Sequence, residues 1–227
     1  MQEVQSIFEA QAEWKAKKLG KFSSSEMHRL LKSGKKKDQL FGDGAMTYIY
    51  EKVAELMTHQ AKEEITGLKA IEHGNANEYF ALVAYMERTG RQVEYFGGGN
   101  PKFFPYNEYS GGSPDFLSED RGGEIKCPFV SSNHIEYIIH ASKSGGSVHD
   151  TLWLKENHFD YFVQCQFNMM CCKRKKWDFI SYDDRIKNPD LQLVILEINP
   201  DYDLQKDIDY RLKEAKTIIA NILNTIK

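Results

Sequence analysis

The sequence predicts an α/β protein with a central mixed β-sheet flanked by helices, and three observations support this. Helical apolar spacing dominates the first 90 of the 227 residues. Short apolar runs bounded by glycine and proline then follow, which is typical of strands. Helical spacing returns at 156–172 and 203–226. We expect one domain over 1–227, with a mostly helical part (1–90), a sheet core (91–200) and a C-terminal helix (203–226).

The helices of the first part are predicted from their end signals and apolar spacing. Residues 4–18 form the first candidate, and Ser23 with Glu26 has the spacing of a capping box at the start of a short second helix. Asp43 is expected to cap a third helix. A fourth helix is predicted over 66–89, where a glycine follows the last turn.

The strands are predicted from alternation and turn residues. "SPDFLS" (113–118) and "GEIKCP" (123–128) read as two strands of a hairpin joined by "EDRGG". "WDFISYD" (177–183) and "LQLVILEIN" (191–199) are two further strands. The last is almost continuously apolar, so we expect it to be a central strand that is buried on both faces.

Composition restricts the class of protein. The net charge is −3, so any contact with nucleic acid must use local basic patches. The four cysteines show no zinc-binding spacing and indicate reduced thiols. The N-terminus lacks the apolar run of a signal peptide, and no segment approaches the roughly 18 apolar residues of a membrane span. We therefore expect a cytoplasmic protein with no membrane partner.

Three polar residues stand out in the predicted hairpin. Side chains alternate along a strand, so Glu124 and Lys126 point to one face, and pairing of the two strands brings Asp115 near Glu124. Two adjacent carboxylates repel each other unless a cation offsets their charge. A hard divalent cation such as Mg²⁺ favours oxygen ligands, so Asp115 and Glu124 are candidate metal ligands.

This arrangement suits hydrolysis of a phosphodiester, because a metal ion polarises a phosphoryl oxygen and lowers the pKa of bound water. Lys126 has two possible roles. With a depressed pKa it assists deprotonation of the water, and with its charge retained it orients the water and stabilises the pentavalent phosphate. The alternative is a surface hairpin with an ordinary Glu–Lys pair, which contributes little to stability.

The pattern P-D followed by E-x-K resembles the PD-(D/E)xK nucleases, whose core is restriction-endonuclease-like. The string "SPD…GGEIKCP" is similar to the YqaJ-like viral recombinases, the family of phage lambda exonuclease. "LGKFSSSEMH", "HGNANEYFAL" and "YFVQCQFNM" fit that family in order, so the resemblance runs from about residue 15 to about 185.

The resemblance implies further residues at the metal site. Glu78 matches a helical glutamate of the family, and the implied ligands are Glu78, Asp115, Glu124 and the backbone carbonyl of Ile125. It also implies that Tyr161 and Gln164 reach the catalytic centre. The alternative is that these residues have no catalytic role. Glu78 is then an exposed helix carboxylate, and Tyr161 and Gln164 are ordinary polar residues at the flank of a helix.

A pocket for a 5′-phosphate is implied at Lys18, Ser25 and Ser113. Lys18 departs from the family, which has arginine there, and lysine does not grip a phosphate through two parallel hydrogen bonds. Ser25 also follows a predicted helix start, where free N–H groups favour anions. Ile71 matches an apolar wedge between the DNA strands, although ordinary core packing explains it better.

The implied activity is a Mg²⁺-dependent 5′→3′ exonuclease that acts on double-stranded DNA ends. It uses two metal ions, with Mn²⁺ as a substitute, and releases 5′-mononucleotides. The remaining 3′ overhangs serve recombination by a single-strand annealing protein. The resemblance further implies a homotrimer from a phage or prophage in a bacterial host. The alternatives are a PD-(D/E)xK endonuclease that cuts internally and a DNA-end-binding module without catalysis.

Overall fold

The computed structural model describes residues 2–36, 38–61 and 68–226, which form helices packed around two β-sheets. The helices are α1 (Gln2–Lys18), α2 (Met27–Leu30), α3 (Asp43–Thr58), α4 (Lys69–Thr89), α5 (Ser131–Ala141), α6 (Ser147–Asn157), α7 (Phe159–Cys172) and α8 (Tyr202–Thr225). The strands are β1 (Phe22–Ser23), β2 (Glu94–Tyr95), β3 (Phe104–Asn107), β4 (Ser110–Gly112), β5 (Phe116–Leu117), β6 (Gly122–Lys126), β7 (Trp177–Tyr182) and β8 (Leu193–Ile198).

The larger sheet has five strands in the order β2-β5-β6-β7-β8. β5 and β6 pair antiparallel, β6 and β7 parallel, and β7 and β8 antiparallel. This confirms the predicted mixed sheet and the predicted hairpin of β5 and β6. Because β6 and β7 are parallel, the chain must cross over between them, and α5, α6 and α7 form that crossover.

Helices cover both faces of this sheet, as the alternation of β7 shows. Trp177 and Phe179 pack among residues of α5, α6 and α7, whereas Ile180 and Tyr182 pack against α4. Burying each such side chain fully stabilises the fold by about 1.5–3 kcal/mol. The sheet is therefore the middle layer of a helix–sheet–helix arrangement, which confirms the predicted fold class.

The smaller sheet joins the first helix to the hairpin that carries the predicted site. Its order is β1-β4-β3, and β1 pairs with β4 in parallel, with Phe22 opposite Ser110 and Ser23 opposite Gly111. α2 and α3 pack against α7 and α8 in an apolar cluster that also contains Phe22. Among the described helices, none is both long enough and apolar enough to span a bilayer.

The predicted capping box at Ser23 and Glu26 is wrong. Ser23 belongs to β1, and its side chain makes no capping hydrogen bond, while the Glu26 carboxylate lies 2.6 Å from Arg29 Nη1. Residues 24–26 form a 3₁₀ turn and α2 has only four residues, because pairing with β4 holds the backbone before them extended. Asp43 is the first residue of α3, and Gly42 occupies the cap.

Three further predictions differ from the structure in position or length. The apolar strand at 191–199 is β8 at an edge of the sheet, and α5 and α6 pack against it. The helix predicted over 156–172 is observed as α7 (Phe159–Cys172), and residues 156–157 belong to the end of α6. The helix predicted over 66–89 is observed as Lys69–Thr89, and residues 66–67 lie outside the described residues. Neither α5 nor the rest of α6 was predicted.

Candidate metal and nucleic-acid site

The β5–β6 hairpin brings the two predicted carboxylates to one place. Asp115 directly precedes β5, and its backbone N–H donates to Gly123 O at 3.2 Å. Its side-chain Oδ2 accepts a hydrogen bond of 2.6 Å from the backbone N–H of Ile125. Asp115 is thus bound to the strand that carries Glu124 and Lys126.

Glu124 is held by three donors. It is only 2% exposed, and its Oε1 accepts from Lys126 Nζ at 2.7 Å and from Gln164 Nε2 at 2.6 Å. Its Oε2 accepts from Asn168 Nδ2 at 3.3 Å. Gln164 and Asn168 are four residues apart on α7 and share a face that points at β6. The crossover helix therefore supplies both amides.

Glu78 reaches the same place from α4 and is held there by Tyr95. The Tyr95 hydroxyl donates to Glu78 Oε1 at 2.8 Å. Gly97 faces this pair closely, since a Cβ at that position would lie 1.9 Å from Glu78 Oε1 and 2.2 Å from the Tyr95 oxygen. The turn after β2 thus touches the Glu78 carboxylate.

Burial and mutual repulsion disfavour the charged forms of the carboxylates in this cluster. Burial, followed by the charges of Glu124 and Glu78, raises the pKa of Asp115 well above its ordinary value. Burial and the charge of Glu78 also raise the pKa of Glu124, although Lys126 and Asn168 oppose this. Burial alone would lower the pKa of Lys126, but the charges of Glu124 and Asp115 outweigh it and raise that pKa. Lys126 is therefore protonated at neutral pH.

The donor set fits a hard divalent cation. Asp115, Glu124 and Glu78 supply oxygens only, which suits Mg²⁺ better than a metal that prefers nitrogen or sulfur. The single charge of Lys126 leaves the carboxylate cluster with excess negative charge, as the raised pKa values of Asp115 and Glu124 show. A divalent cation would relieve that repulsion.

Two of these carboxylates, Glu78 and Asp115, line a cleft of about 600 Å³. Its wall contains predicted residues of both kinds, the implied metal ligands and the implied phosphate-binding residues. The lining includes Lys18, Ser25, Glu78, Ser113, Asp115 and Gln164. Residues as far apart in sequence as Gln11 and Gln164 therefore meet at one opening.

The implied phosphate-binding residues lie where α1, β1 and β4 converge. Ser113 Oγ accepts a hydrogen bond of 2.9 Å from Trp14 Nε1, and Lys18 Nζ lies 3.8 Å from the centroid of the Trp14 ring. Ser25 is exposed, with its Oγ 3.3 Å from Ser23 Oγ. Its placement in the first turn of a full helix was wrong, so the helix-terminus argument for Ser25 does not apply.

Three predicted residues remain, and their surroundings differ: Tyr161, Ile125 and Ile71. Tyr161 turns its ring toward Lys126, with Nζ 5.1 Å from the ring centroid. Ile125 is buried, and its side chain packs in the apolar cluster that α4 forms with the sheet. Ile71 is 44% exposed near the start of α4, so the core packing that seemed the better explanation is wrong.

Sequence reasoning missed three residues of this site: Trp14, Tyr95 and Asn168. Trp14 and Tyr95 reach the site only through non-local packing, and no local signal marks them. Asn168 has a signal, because it follows Gln164 by four residues on a helix whose register was already assigned.

Comparisons with known proteins identify a family and several structures that are similar to this chain. A model of the YqaJ-like viral recombinase domain matches residues 13–175. The structure described as LHK-Exo in complex with dAMP superposes with a TM-score of 0.75 at 25% identity, covering 95% of this chain and 96% of that one. The alkaline exonuclease LHK-Exo from Laribacter hongkongensis gives a TM-score of 0.72 at 24% identity, covering 95% and 97%.

A third structure, described as a phage related exonuclease from Haemophilus somnus, is similar in fold, with a TM-score of 0.68 at 15% identity over 91% of this chain and 96% of that one. No curated protein matches the chain. The domain match covers well over half of the sequence and includes the hairpin, the α4 glutamate and most of the cleft. The chain belongs to the YqaJ-like viral recombinase family.

Proposed function

We propose that this protein is a Mg²⁺-dependent exonuclease that degrades one strand of linear double-stranded DNA in the 5′→3′ direction. It releases 5′-mononucleotides and leaves 3′ single-stranded overhangs for recombination by strand annealing. The family and its exonuclease relatives support a nuclease that acts on DNA. The relative described in complex with dAMP supports a mononucleotide product.

The observation that carries the proposal is that Glu78 and Asp115 line the cleft, while Asp115 is hydrogen-bonded to the strand on which Glu124 and Lys126 pair. A hairpin with ordinary surface charges would leave these groups exposed, whereas Glu124 is 2% exposed and held by three donors. Burying a carboxylate is costly unless it is paired or binds a metal. The cluster is therefore better explained by chemistry than by stability.

The carboxylates of Glu78, Asp115 and Glu124, with the carbonyl of Ile125, would hold Mg²⁺, with two ions as our expectation and Mn²⁺ as a substitute. When bound, Mg²⁺ supplies Lewis acidity at a phosphoryl oxygen and acidifies its bound water. Lys126 Nζ lies 2.7 Å from Glu124 Oε1, and we propose the second of its two roles, in which a charged ammonium orients the attacking water and stabilises negative charge on the phosphate. Gln164 fixes Glu124 from α7, and the Tyr161 ring limits the position of Lys126.

Lys18, Ser25 and Ser113 would bind the 5′-phosphate in the same cleft. Ser113 precedes Asp115 by two residues, so a phosphate bound there lies close to the carboxylates. Lys18 presents a single ammonium beside Trp14, and we expect a weaker preference for a 5′-phosphate than a bidentate arginine would give. The exposed Ile71 would separate the strands ahead of the site.

We also propose a homotrimer that surrounds its DNA, a partnership with a single-strand annealing protein, and action in the cytoplasm of a bacterial host. The net charge of −3 favours a ring, because enclosure replaces part of the electrostatic attraction that holds a basic protein on DNA.

The test is a timed digestion of end-labelled linear duplex and of closed circular duplex in Mg²⁺ or EDTA. We expect 5′-mononucleotides from the linear duplex, intact circles, and no reaction in EDTA. Opened circles would establish the endonuclease alternative. Ends that are bound without turnover would establish the end-binding alternative.

The matched variants are Lys126→Ala and, as a control, Lys213→Ala, which changes an exposed lysine of α8. Lys126→Ala should abolish release of nucleotides and still bind ends, and the control should digest DNA like the wild type. Equal activity of all three proteins would contradict the role of Lys126. Equal rates on 5′-phosphate and 5′-hydroxyl ends would remove Lys18, Ser25 and Ser113 from the phosphate pocket.

A further inference from the structure

Asn168 is an amide at the centre of the molecule that is assigned to no step of the proposed reaction. It is 0% exposed and lies one helical turn after Gln164 on α7. Its Nδ2 donates to Glu124 Oε2 at 3.3 Å. In the described part of the chain, the other two donors to this carboxylate, Lys126 and Gln164, both bind Oε1.

This division between the two oxygens has a geometric consequence. Rotation about the terminal bond of a carboxylate moves both oxygens, and because that torsion is broad and soft, donors at one oxygen restrain it only within the range that their hydrogen bonds tolerate. A donor at the second oxygen fixes the plane of the group. Asn168 therefore fixes the direction in which the remaining lone pairs of Glu124 point. A single bond at 3.3 Å also leaves Oε2 able to accept a further partner.

The other end of the Asn168 amide is unsatisfied. Its Oδ1 is buried, and the described residues offer it no hydrogen-bond partner. That oxygen lies over Gly112, where a Cβ would approach it to 2.1 Å. Exchanging the positions of Oδ1 and Nδ2 would not satisfy the amide, because Oδ1 would then face the Glu124 carboxylate, which is also an acceptor. A buried acceptor without a partner lowers stability, so an apolar side chain would suit this position better.

We infer that Asn168 is a positioning residue that orients Glu124 for the metal and is kept at a cost to stability. This inference rests on the proposed function, since it assumes that Glu124 holds a divalent cation. Residues that break a local rule of stability are expected at functional sites. Partners that orient a metal ligand typically contribute about 10–100-fold to metal affinity.

The experiment measures two quantities: Mn²⁺ affinity by calorimetry and the unfolding midpoint in EDTA. The variant is Asn168→Leu, and the matched control is Gln166→Leu on the same helix. Gln166 is also 0% exposed, but its amide holds the backbone of Asn199 and Asp201 instead of a site carboxylate.

Asn168→Leu should weaken Mn²⁺ binding about tenfold while its midpoint in EDTA equals or exceeds that of the wild type. Gln166→Leu should lower the midpoint and leave the Mn²⁺ affinity unchanged within about twofold. A purely structural role for Asn168 would give it the pattern of the control. Asn168→Ala, which adds no volume, should weaken Mn²⁺ binding to the same degree whatever it does to the midpoint.

The inference is overturned if both Asn168 variants bind Mn²⁺ as the wild type does, or if Asn168→Leu lowers the midpoint as much as the control does. Failure of the proposed function has a different signature, because the wild type would then bind no Mn²⁺ and digest no DNA.

Discussion

Replacing Gly97 by alanine should disable the protein without unfolding it. A Cβ at this position would lie 1.9 Å from Glu78 Oε1 and 2.2 Å from the Tyr95 oxygen, whereas real Cβ contacts essentially never fall below 3.0 Å. The Glu78 carboxylate must therefore move by at least about 1 Å, a displacement that typically costs about 100-fold in rate at a catalytic site. The obstructing atoms belong to the ends of the Glu78 and Tyr95 side chains, including Tyr95 Cζ at 2.4 Å, and not to the backbone, so we expect the free energy of unfolding to change by less than about 1 kcal/mol.

The assay for Gly97→Ala is the initial rate of nucleotide release from end-labelled linear duplex at saturating Mg²⁺, with urea unfolding of the same preparation. Gly44→Ala is the control, because a Cβ there meets only the Lys32 side chain, at 3.5 Å. It should keep full activity and gain up to about 1 kcal/mol from helix propensity. A rate for Gly97→Ala within threefold of the wild type, a limit set well below the expected loss of about 100-fold, would show that the position of Glu78 does not limit the reaction.

Three more outcomes follow from the geometry. Arg121→Met should lower the free energy of unfolding by about 3–5 kcal/mol in urea titrations, because it leaves Asp178, bonded to Arg121 at 2.7 Å, buried without its cation; a loss of less than about 1 kcal/mol would contradict this. Burial lowers the pKa of His134 below its ordinary value of about 6.5, so the unfolded chain takes up a proton first and stability should fall as the pH drops below that value; His134→Asn should flatten this pH dependence, and an unchanged slope would refute the reasoning. Mg²⁺ at about 100 times its dissociation constant should raise the melting temperature by about 5–10 °C, and Asp115→Asn should abolish this rise; an equal rise in that variant would remove Asp115 from the metal site.

The part of the site that local rules govern was predictable. Alternation along a strand and a glycine-rich turn are enough to place Asp115, Glu124 and Lys126 together. The same rules failed at Ser23, where the capping pattern is intact in the sequence. There, pairing with Gly111, far along the chain, holds the backbone extended and removes the helix start.

The arrangement of strands was less predictable because it depends on partners outside each segment. The apolar run of β8 was expected at the centre of the sheet, but an edge strand that helices cover needs the same composition. Tyr95 reaches Glu78 only because β2 pairs with β5. The two-residue sequence of β2 does not indicate this pairing. Asn168 was within reach of sequence reasoning, since helix spacing alone places it above Gln164.

The pairing of β1 with β4 fixes a distance along the cleft. Hydrogen bonds between backbones fix Ser23 opposite Gly111, and the chain then needs only four more residues to arrive at Asp115. The span from Ser25 and Ser113, which we propose bind the strand end, to Asp115 is therefore set by main-chain geometry and does not depend on flexible side chains. Under that proposal the span defines how far from its terminus a strand is cut, so lengthening the segment between Gly112 and Asp115 by one residue should change the size of the fragments released.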